Sequence, residues 1–466
     1  MPEALSSLPT FRDPAGSVEI RPDGAYRTIR APYDKEILDF LDLPLASELV
    51  ESGRLVASER VLAPDGSYGG PDALVLRHPR VSFQSYPWEW PPSLWLAAAE
   101  LTLGLCSDLL QQGWLIKDAT PLNVLFQGTE PIFVDVLSIE RADPRQSIWL
   151  PYGQFVRTFL LPMLAHSRLG WPLQTALTRR DGYEPEEIYS ALSWPARLRK
   201  PAFSAVTLPS LLAGSKKINS SNLASHSAKD PEIARHILLK TLKGLLTQMR
   251  RVTPHHKTST WSDYAETATH YSEGDHADKR AFVRDALAAA LPSRVLDVGC
   301  NTGVYSLLAA ETGAEVVSVD TDLQAVDRLA TNLKGSGKNI LPLCIDLAQP
   351  TPATGWENRE YSSFLNRSAG HFDTVMMLAV IHHLLLGSQI PLHQIAALCS
   401  RLTTSHLILE WVPPSDPKFQ ELLRGRDAIY AHIDEASFRQ AFAQHFTIFH
   451  ETTLANGRTL FHFSRI

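Results

Sequence analysis

From residue 294 to the C-terminus, short apolar runs and amphipathic stretches take turns along the chain. Val295, Leu296 and Val298 form an aliphatic, β-branched run that predicts a buried parallel strand, and Ala281 to Leu291 predicts a helix leading into it. Val304 to Ala310 then predicts a helix, Glu315 to Val319 a second strand, and Gln324 to Asn332 a second helix. Further strands are expected at Ile340 to Ile345, Phe372 to Leu378 and His406 to Glu410. Strands separated by helices imply a parallel α/β sheet, and such sheets bind ligands beyond the carboxyl ends of their strands. Asp297, Asp320, Asp346, His382, His383 and Glu410 all fall at or just past those ends.

The first half reads differently. SVEIRPDGAYRTIR carries Pro-Asp-Gly between two extended arms, a hairpin signal, and Lys35 to Leu43 is apolar at helical spacing. Strands are expected at Leu55 to Leu62 and Ala73 to Leu76. The segment YPWEWPPSLW, Tyr86 to Trp95, is read as a rigid connector wedged between two lobes, with a binding surface as the alternative. A helix follows over Leu94 to Gln112. Residues 151 to 212 predict short helices broken by prolines at 162, 172, 185, 195 and 201, and the Ser-rich stretch from Gly214 to Asp230 predicts a mobile loop. Pro231 to Arg251 sets Ile233, Ile237, Leu238, Leu242, Leu245, Leu246 and Met249 on one helical face.

Bulk properties narrow the class. With 466 residues, 44% hydrophobic and 20% charged, the chain is expected to fold into two or three globular domains. A formal charge of -6 argues against a nucleic-acid partner. Cys106, Cys300, Cys344 and Cys399 show no metal-ligand or Cys-x-x-Cys spacing and read as buried thiols in a reducing compartment. The N-terminus lacks a secretory pattern, and Leu94 to Cys106 falls short of the roughly 20 apolar residues of a membrane helix. A cytoplasmic protein without membrane attachment is the expectation, with its oligomeric state open.

The turn after the first strand of the second half carries the chemistry. Counted from Gly299, the three glycine positions of the nicotinamide-dinucleotide fingerprint hold Gly299, Asn301 and Val304, so that pattern fails. What fits is Asp297-x-Gly299-x-x-x-Gly303, with Asp320 closing the next strand. Glycines at a strand-to-helix turn allow a ligand close to the backbone, and Asn301 tolerates a left-handed conformation. A carboxylate such as Asp320 can accept both ribose hydroxyls of an adenosine. At these residues the chain resembles the class I S-adenosylmethionine-dependent methyltransferases. The resemblance implies a Rossmann-like, doubly wound, seven-stranded sheet ending in an antiparallel pair at Phe446 to Phe449 and Thr459 to Phe463. It implies cofactor contacts from Asp297, Gly299, Asn301, Gly303 and Asp320, with Asp346 accepting from the adenine amino group. Trp261, Tyr264, Tyr271 and Lys279 would lie over the cofactor, where a tyrosine hydroxyl or the lysine could meet the methionine carboxylate. Methyl transfer to a hydroxyl needs a proton acceptor, and His382 or His383 could serve; neighbours at a helix start point apart, so one is expected to face the site, with His383 preferred. Glu410, Trp411 and Asp416 would stand near the acceptor, and Asp416 alternatively caps the helix from Lys418 to Leu423.

A second resemblance lies in WLIKDATPLNVLFQGTEPIFVDVLSIE. Asp118, Asn123 and Asp135 are spaced like the catalytic base and the two magnesium ligands of the protein-kinase-like and aminoglycoside-kinase-like superfamily. Ile116 stands where a histidine is usual, Val136-Leu137-Ser138 replaces Phe-Gly, and no glycine-rich loop precedes them. An α+β, degenerate kinase-like module is therefore expected, with simple turn capping by Asp118 and Asn123 as the plainer alternative. Taken whole, the chain resembles bacterial nodulation-type two-part methyltransferases. The expected organisation is a kinase-like domain over 1–252, a linker and cofactor-covering segment over 253–280, and a methyltransferase domain over 281–466. The expected function is S-adenosylmethionine-dependent methylation of a small-molecule acceptor, on oxygen ahead of nitrogen or a carboxyl group, with the first module docking substrate or acting as scaffold. Two rivals stay open: a bifunctional protein whose first module is an ATP- and magnesium-dependent phosphotransferase, and a non-catalytic regulator that senses the cofactor.

Overall fold

The computed structural model describes residues 10, 12–62, 73–212, 228, 230–254 and 273–466. The expected loop over 214–227 and the residues Trp261, Tyr264 and Tyr271 lie outside them. The chain divides into two compact units, one comprising Met1–His255 with Thr354–Tyr361, the other His256–Ala353 with Ser362–Ile466.

In the first unit, β1 (Gly16–Arg21) and β2 (Gly24–Ile29) form the hairpin expected around Pro22 and Asp23, with Arg21 opposite Gly24. They join β3 (Glu59–Val61) and β4 (Leu74–His78) in an antiparallel sheet of order β1-β2-β4-β3. The twenty-residue helix Pro92–Gln111 buries Trp95, Leu103, Cys106 and Leu109 and packs on the helix Pro231–Val252. That second helix turns Ala234, Leu238, Leu242, Leu245, Met249 and Val252 inward. Ile233 and Ile237 are exposed, contrary to the expected face, because the inward stripe runs one position later at its start. Short strands follow: β5 (Trp114–Ile116) pairs with β8 (Ile139–Arg141), and β6 (Val124–Gln127) with β7 (Glu130–Phe133).

Trp88, Trp90 and Trp95 of the expected connector are all buried in this unit. Tyr86 and Trp88 stack at 4.9 Å, and the ring of Tyr361 meets both edge-on at 5.5 and 5.6 Å. Beside it Glu360 takes Arg12 at 2.5 Å and Arg180 at 3.5 Å. The segment Thr354–Tyr361 thus supplies an aromatic ring and a carboxylate to the first unit, so 281–466 is not one uninterrupted domain. Nor is 273–280 linker: it opens the continuous helix Glu273–Ala290.

The second unit is built on a seven-stranded sheet of order β11-β10-β9-β12-β13-β15-β14. Its strands are β9 (Arg294–Val298), β10 (Glu315–Asp320), β11 (Ile340–Cys344), β12 (Phe372–Met377), β13 (Thr403–Trp411), β14 (Phe446–Thr453) and β15 (Thr459–Arg465). Neighbours from β11 to β13 run parallel, and β15 is antiparallel to both β13 and β14. Strand order reverses between β9 and β12, which opens a crevice past their carboxyl ends. Helices Glu273–Ala290 and Val304–Glu311 pack Val283, Leu287 and Ala309 against Val295, Val316 and Ile408.

Gly303 ends the turn after β9 at φ +86°, and a Cβ there would overlap Leu329, which is 1% exposed. Gly303→Ala combines a left-handed alanine with an overpacked core and should lower unfolding free energy by about 2 to 4 kcal/mol. Chemical denaturation monitored by circular dichroism measures it; an unchanged midpoint would refute the packing account.

Candidate active site

A cavity of about 500 Å3 opens beyond β9 to β12. One side of it is acidic. Asp320 Oδ2 accepts the backbone N–H of Asn301 at 2.8 Å and Oδ1 accepts that of Asp322 at 3.0 Å. Each oxygen keeps lone-pair capacity toward the cavity, enough for two hydroxyl donors. Burial raises the Asp320 pKa, opposed by the backbone donors of Asp322 and Asn301. Asn301 holds this arrangement with φ +49°, the left-handed geometry expected for it. Asp346 stands exposed at the rim just past β11, with Oδ1 accepting Ala348 N–H at 2.8 Å. Asp297 is 2% exposed; burial raises its pKa to about 6, against a 2.6 Å hydrogen bond from Ser306.

The other side is basic. His382 and His383 both line the cavity, with ring centroids 4.2 Å apart. This corrects the expectation that only one would face it: the backbone turns from helical into a wider π-helical turn at His383–Gly387, and both rings are carried to the same wall. Burial lowers both pKa values, that of His382 to about 2, helped by the nearby charges of His383, Arg458, Lys279 and Lys418. His382 Nδ1 is buried without a hydrogen-bond partner. Lys418 reaches the cavity from the helix Pro417–Leu423, and Lys279, Arg280 and His276 from Glu273–Ala290.

Glu410, expected at the acceptor, does not line this cavity. It is fully buried at the end of β13, taking Lys279 Nζ at 2.6 Å and Arg458 Nη1 at 3.4 Å. Arg458 Nε also donates to Asp416 Oδ2 at 2.8 Å, while Asp416 Oδ1 caps the helix by accepting Lys418 N–H. The capping alternative for Asp416 is the one the structure adopts; burial works against its charge, but Arg458 holds its pKa below the usual carboxylate value. Gly303 likewise is not at the cavity surface, since its Cα faces Leu329, whereas Gly299 is; both have positive φ, and a Cβ at Gly299 would overlap Val380. These glycines serve the protein's own packing as well as the approach of a ligand. Sequence reasoning missed Tyr305, Lys418 and Arg458. Lys418 was detectable, since Asp416-Pro417 marks a helix start; Arg458 carried no local signal.

In the first unit the kinase-like triad is internally satisfied. Asp135 Oδ1 lies 2.7 Å from Arg27 Nη1, and its other oxygen accepts from Ser138. The Asn123 amide donates to the carbonyl of Asp118 at 3.0 Å and to Ser138 Oγ at 3.2 Å. Burial raises the Asp118 pKa, against a hydrogen bond from Gln154. Both oxygens of Asp135, one oxygen of Asp118 and the amide nitrogen of Asn123 are thus engaged by partners within the protein. Among the described residues, no cluster of three or more His, Cys, Asp or Glu is arranged to hold a metal ion.

Comparison with known proteins adds the family. The nodulation protein NoeA of Rhizobium meliloti (strain 1021) is 31% identical over 465 residues, covering 98% of this chain and 95% of that protein. The chain belongs to the NoeA family. A methyltransferase domain model matches residues 270–456, and the protein is a methyltransferase. The N-methyltransferase NodS from Bradyrhizobium japonicum WM9, in complex with S-adenosyl-l-homocysteine, is 13% identical and covers 44% of this chain and 98% of its own, with a TM-score of 0.31. Magnesium protoporphyrin IX methyltransferase (ChlM) from Synechocystis PCC 6803 is 20% identical, covers 48% and 95%, and scores 0.30. Similarities at that level carry no argument about chemistry.

Two outcomes follow from the buried charges. Glu410→Gln strips the anion from between Lys279 and Arg458 and should destabilise the protein by about 3 to 5 kcal/mol in urea unfolding; a loss within experimental error would contradict the ion-pair account. For His382, the unfolded ring titrates at 6.5 and the native one at about 2. Between those values the unfolded chain binds a proton the native chain refuses, so stability falls as pH falls through that window, by about 2 kcal/mol at pH 5. His382→Leu should lose correspondingly less between pH 7 and pH 5 in paired denaturation curves.

Proposed function

We propose that the enzyme transfers the methyl group of S-adenosylmethionine to an oxygen of a small-molecule acceptor held in the second unit's cavity. The single observation that carries this is Asp320: both carboxylate oxygens are anchored by backbone N–H groups, yet both retain capacity for a pair of vicinal hydroxyls. The cavity volume, about 500 Å3, falls inside the range of about 300 to 1,000 Å3 common for small-molecule sites. The donor, when bound, contributes a methyl carbon activated by a sulfonium.

The chain's residues orient it. Asp320 holds the ribose, and Asp346, at the rim past β11, receives the adenine amino group through its outer oxygen. Lys279 is fixed by Glu410 at 2.6 Å and lies 5.1 Å over the Tyr305 ring. We assign its ammonium to the amino-acid end of the donor. His383 and His382 border the acceptor position, and His383, with the less extreme surroundings, is the one assigned to contact the acceptor. We assign the first unit a docking or scaffold role, kinase-like in ancestry. The Arg27–Asp135 ion pair favours this over phosphotransfer, because it neutralises the carboxylate a magnesium ion would need.

The test is calorimetry with S-adenosylhomocysteine. The parent chain should bind it, and Asp320→Ala, losing two hydrogen bonds to a charged acceptor, should bind about 10- to 100-fold more weakly. Absence of binding by the parent, or equal affinity of the variant, would overturn the reading.

A further inference from the structure

Charge inside the cavity is sorted by strand. Every carboxylate that lines it comes from β9, β10 or β11 or the turn just past them: Asp297, Asp320, Asp322 and Asp346. Past β12 and β13 the titratable groups are His382, His383 and Lys418, and the helix Glu273–Ala290, which packs on β13 and β15, adds only basic ones. The carboxylates near this end are engaged elsewhere. Glu410 and Asp416 are buried against Lys279 and Arg458, and Glu421, which meets Lys418 Nζ at 2.7 Å, is two-thirds exposed. Lys418 itself lines the cavity and its side chain is only 22% exposed, so its charge is less screened there than that of a fully solvated lysine.

Two features of this end speak about the nucleophile. The first is that, among the described residues lining it, this end offers no carboxylate as proton acceptor, and its two imidazoles are both desolvated. A neutral alcohol would have to surrender its proton to a weakened base. The second is His382 Nδ1, buried in the cavity wall with no hydrogen-bond partner among the described residues. A buried ring nitrogen left so costs free energy unless a ligand atom meets it.

Resting on the functional reading above, we propose that the acceptor atom is the oxygen of a carboxylate, seated against Lys418 and the His382–His383 pair. In the transfer the carboxylate oxygen forms a bond to the methyl carbon as the carbon–sulfur bond breaks. The electron pair of that bond returns to sulfur, giving a methyl ester and a neutral thioether, and no proton changes hands. A monoanion fits better than a phosphate dianion, because Lys279 is already paired with Glu410 and, among the described lining residues past β12 and β13, the cation is Lys418, itself shared with the exposed Glu421. The ammonium offsets the cost of bringing a carboxylate out of water, while the neutral imidazoles offer hydrogen bonds without adding charge.

The experiment uses the full chain saturated with S-adenosylhomocysteine and titrates acetate, benzoate and decanoate against acetamide, benzamide and decanamide by saturation-transfer NMR and calorimetry. At least one carboxylate should bind about tenfold or more tightly than its amide, a preference reduced about tenfold in Lys418→Gln and kept in Lys418→Arg. No preference in any pair, or one that Lys418→Gln leaves unchanged, overturns the proposal. Affinity for S-adenosylhomocysteine is measured first on each variant. Failure at that step strikes the functional reading itself, whereas normal binding there without carboxylate preference strikes only the acceptor assignment.

Discussion

Four charged side chains buried in a row organise the second unit. Lys279, Glu410, Arg458 and Asp416 are each no more than 5% exposed, and each alone would cost several kcal/mol to bury. Together they pair as Lys279–Glu410–Arg458–Asp416, and each comes from a different element: the helix Glu273–Ala290, the end of β13, the turn between β14 and β15, and the cap of the helix Pro417–Leu423. The row fixes those four elements to one another by interactions that fail if any one shifts. It also delivers two cations with different histories. Lys279 enters the cavity already balanced, whereas Lys418 enters from a helix whose cap, rather than whose ammonium, is tied into the row. Buried ionic pairs of this sort add little net stability against an apolar equivalent, so their contribution here is geometric: they specify where the ends of the elements stand.

What was legible in the chain was whatever depended on neighbours in sequence. Strand and helix periodicity placed the five parallel strands of the second unit to within a few residues, since a buried strand must be apolar whatever its partners, and the family resemblance placed the closing antiparallel pair. Asp320 and Asn301 were legible for the same reason: a strand-ending carboxylate and a left-handed residue in a tight turn are local requirements. Glu410 was located correctly at a strand end and given the wrong surroundings, because its partners lie 131 and 48 positions away and no periodicity reports them. Arg458, in the turn between β14 and β15, reads as an ordinary surface residue and is 1% exposed. The domain limits failed for a related reason. Composition marks linkers, but Tyr361 and Glu360 join the first unit through ring stacking and two guanidinium contacts that leave no compositional trace.

In the first unit, residues at a suggestive spacing are engaged in contacts within the protein. Asp118, Asn123 and Asp135 remain at the spacing that suggested a metal-phosphate site, and they do come together in space, linked through Ser138 and the carbonyl of Asp118. Arg27, 107 positions before Val134, reaches the same point from β2, donating to the Val134 carbonyl as well as pairing with Asp135. A guanidinium is permanently charged and cannot be displaced as a water can, so it takes the place at this carboxylate that a cation would occupy. Its own position in the buried wall of the sheet makes the pair structural: the cluster now joins β2 to the loop after β7. Spacing along the chain brings these three residues together, while Arg27, the residue that occupies the carboxylate, arrives from elsewhere.

The division of charge across the cavity follows from the topology rather than from any one side chain. Strand order reverses between β9 and β12, so everything reached by crossing outward through β10 and β11 lies on one side and everything reached through β12 and β13 on the other. Asp297 stands at the divide, and its surroundings are tempered to suit that place. Burial raises its pKa to about 6, Ser306 shares its oxygen, and Lys279 lies close enough to reduce its field. An unshielded carboxylate there would hold a cationic donor more firmly before transfer than during it, since the positive charge on sulfur declines as the methyl group leaves, and binding of that kind slows the chemical step. By setting Asp320, held by two backbone donors, at the end of β10 and the damped Asp297 at the divide, the fold gives two of its cavity carboxylates different electrostatic surroundings.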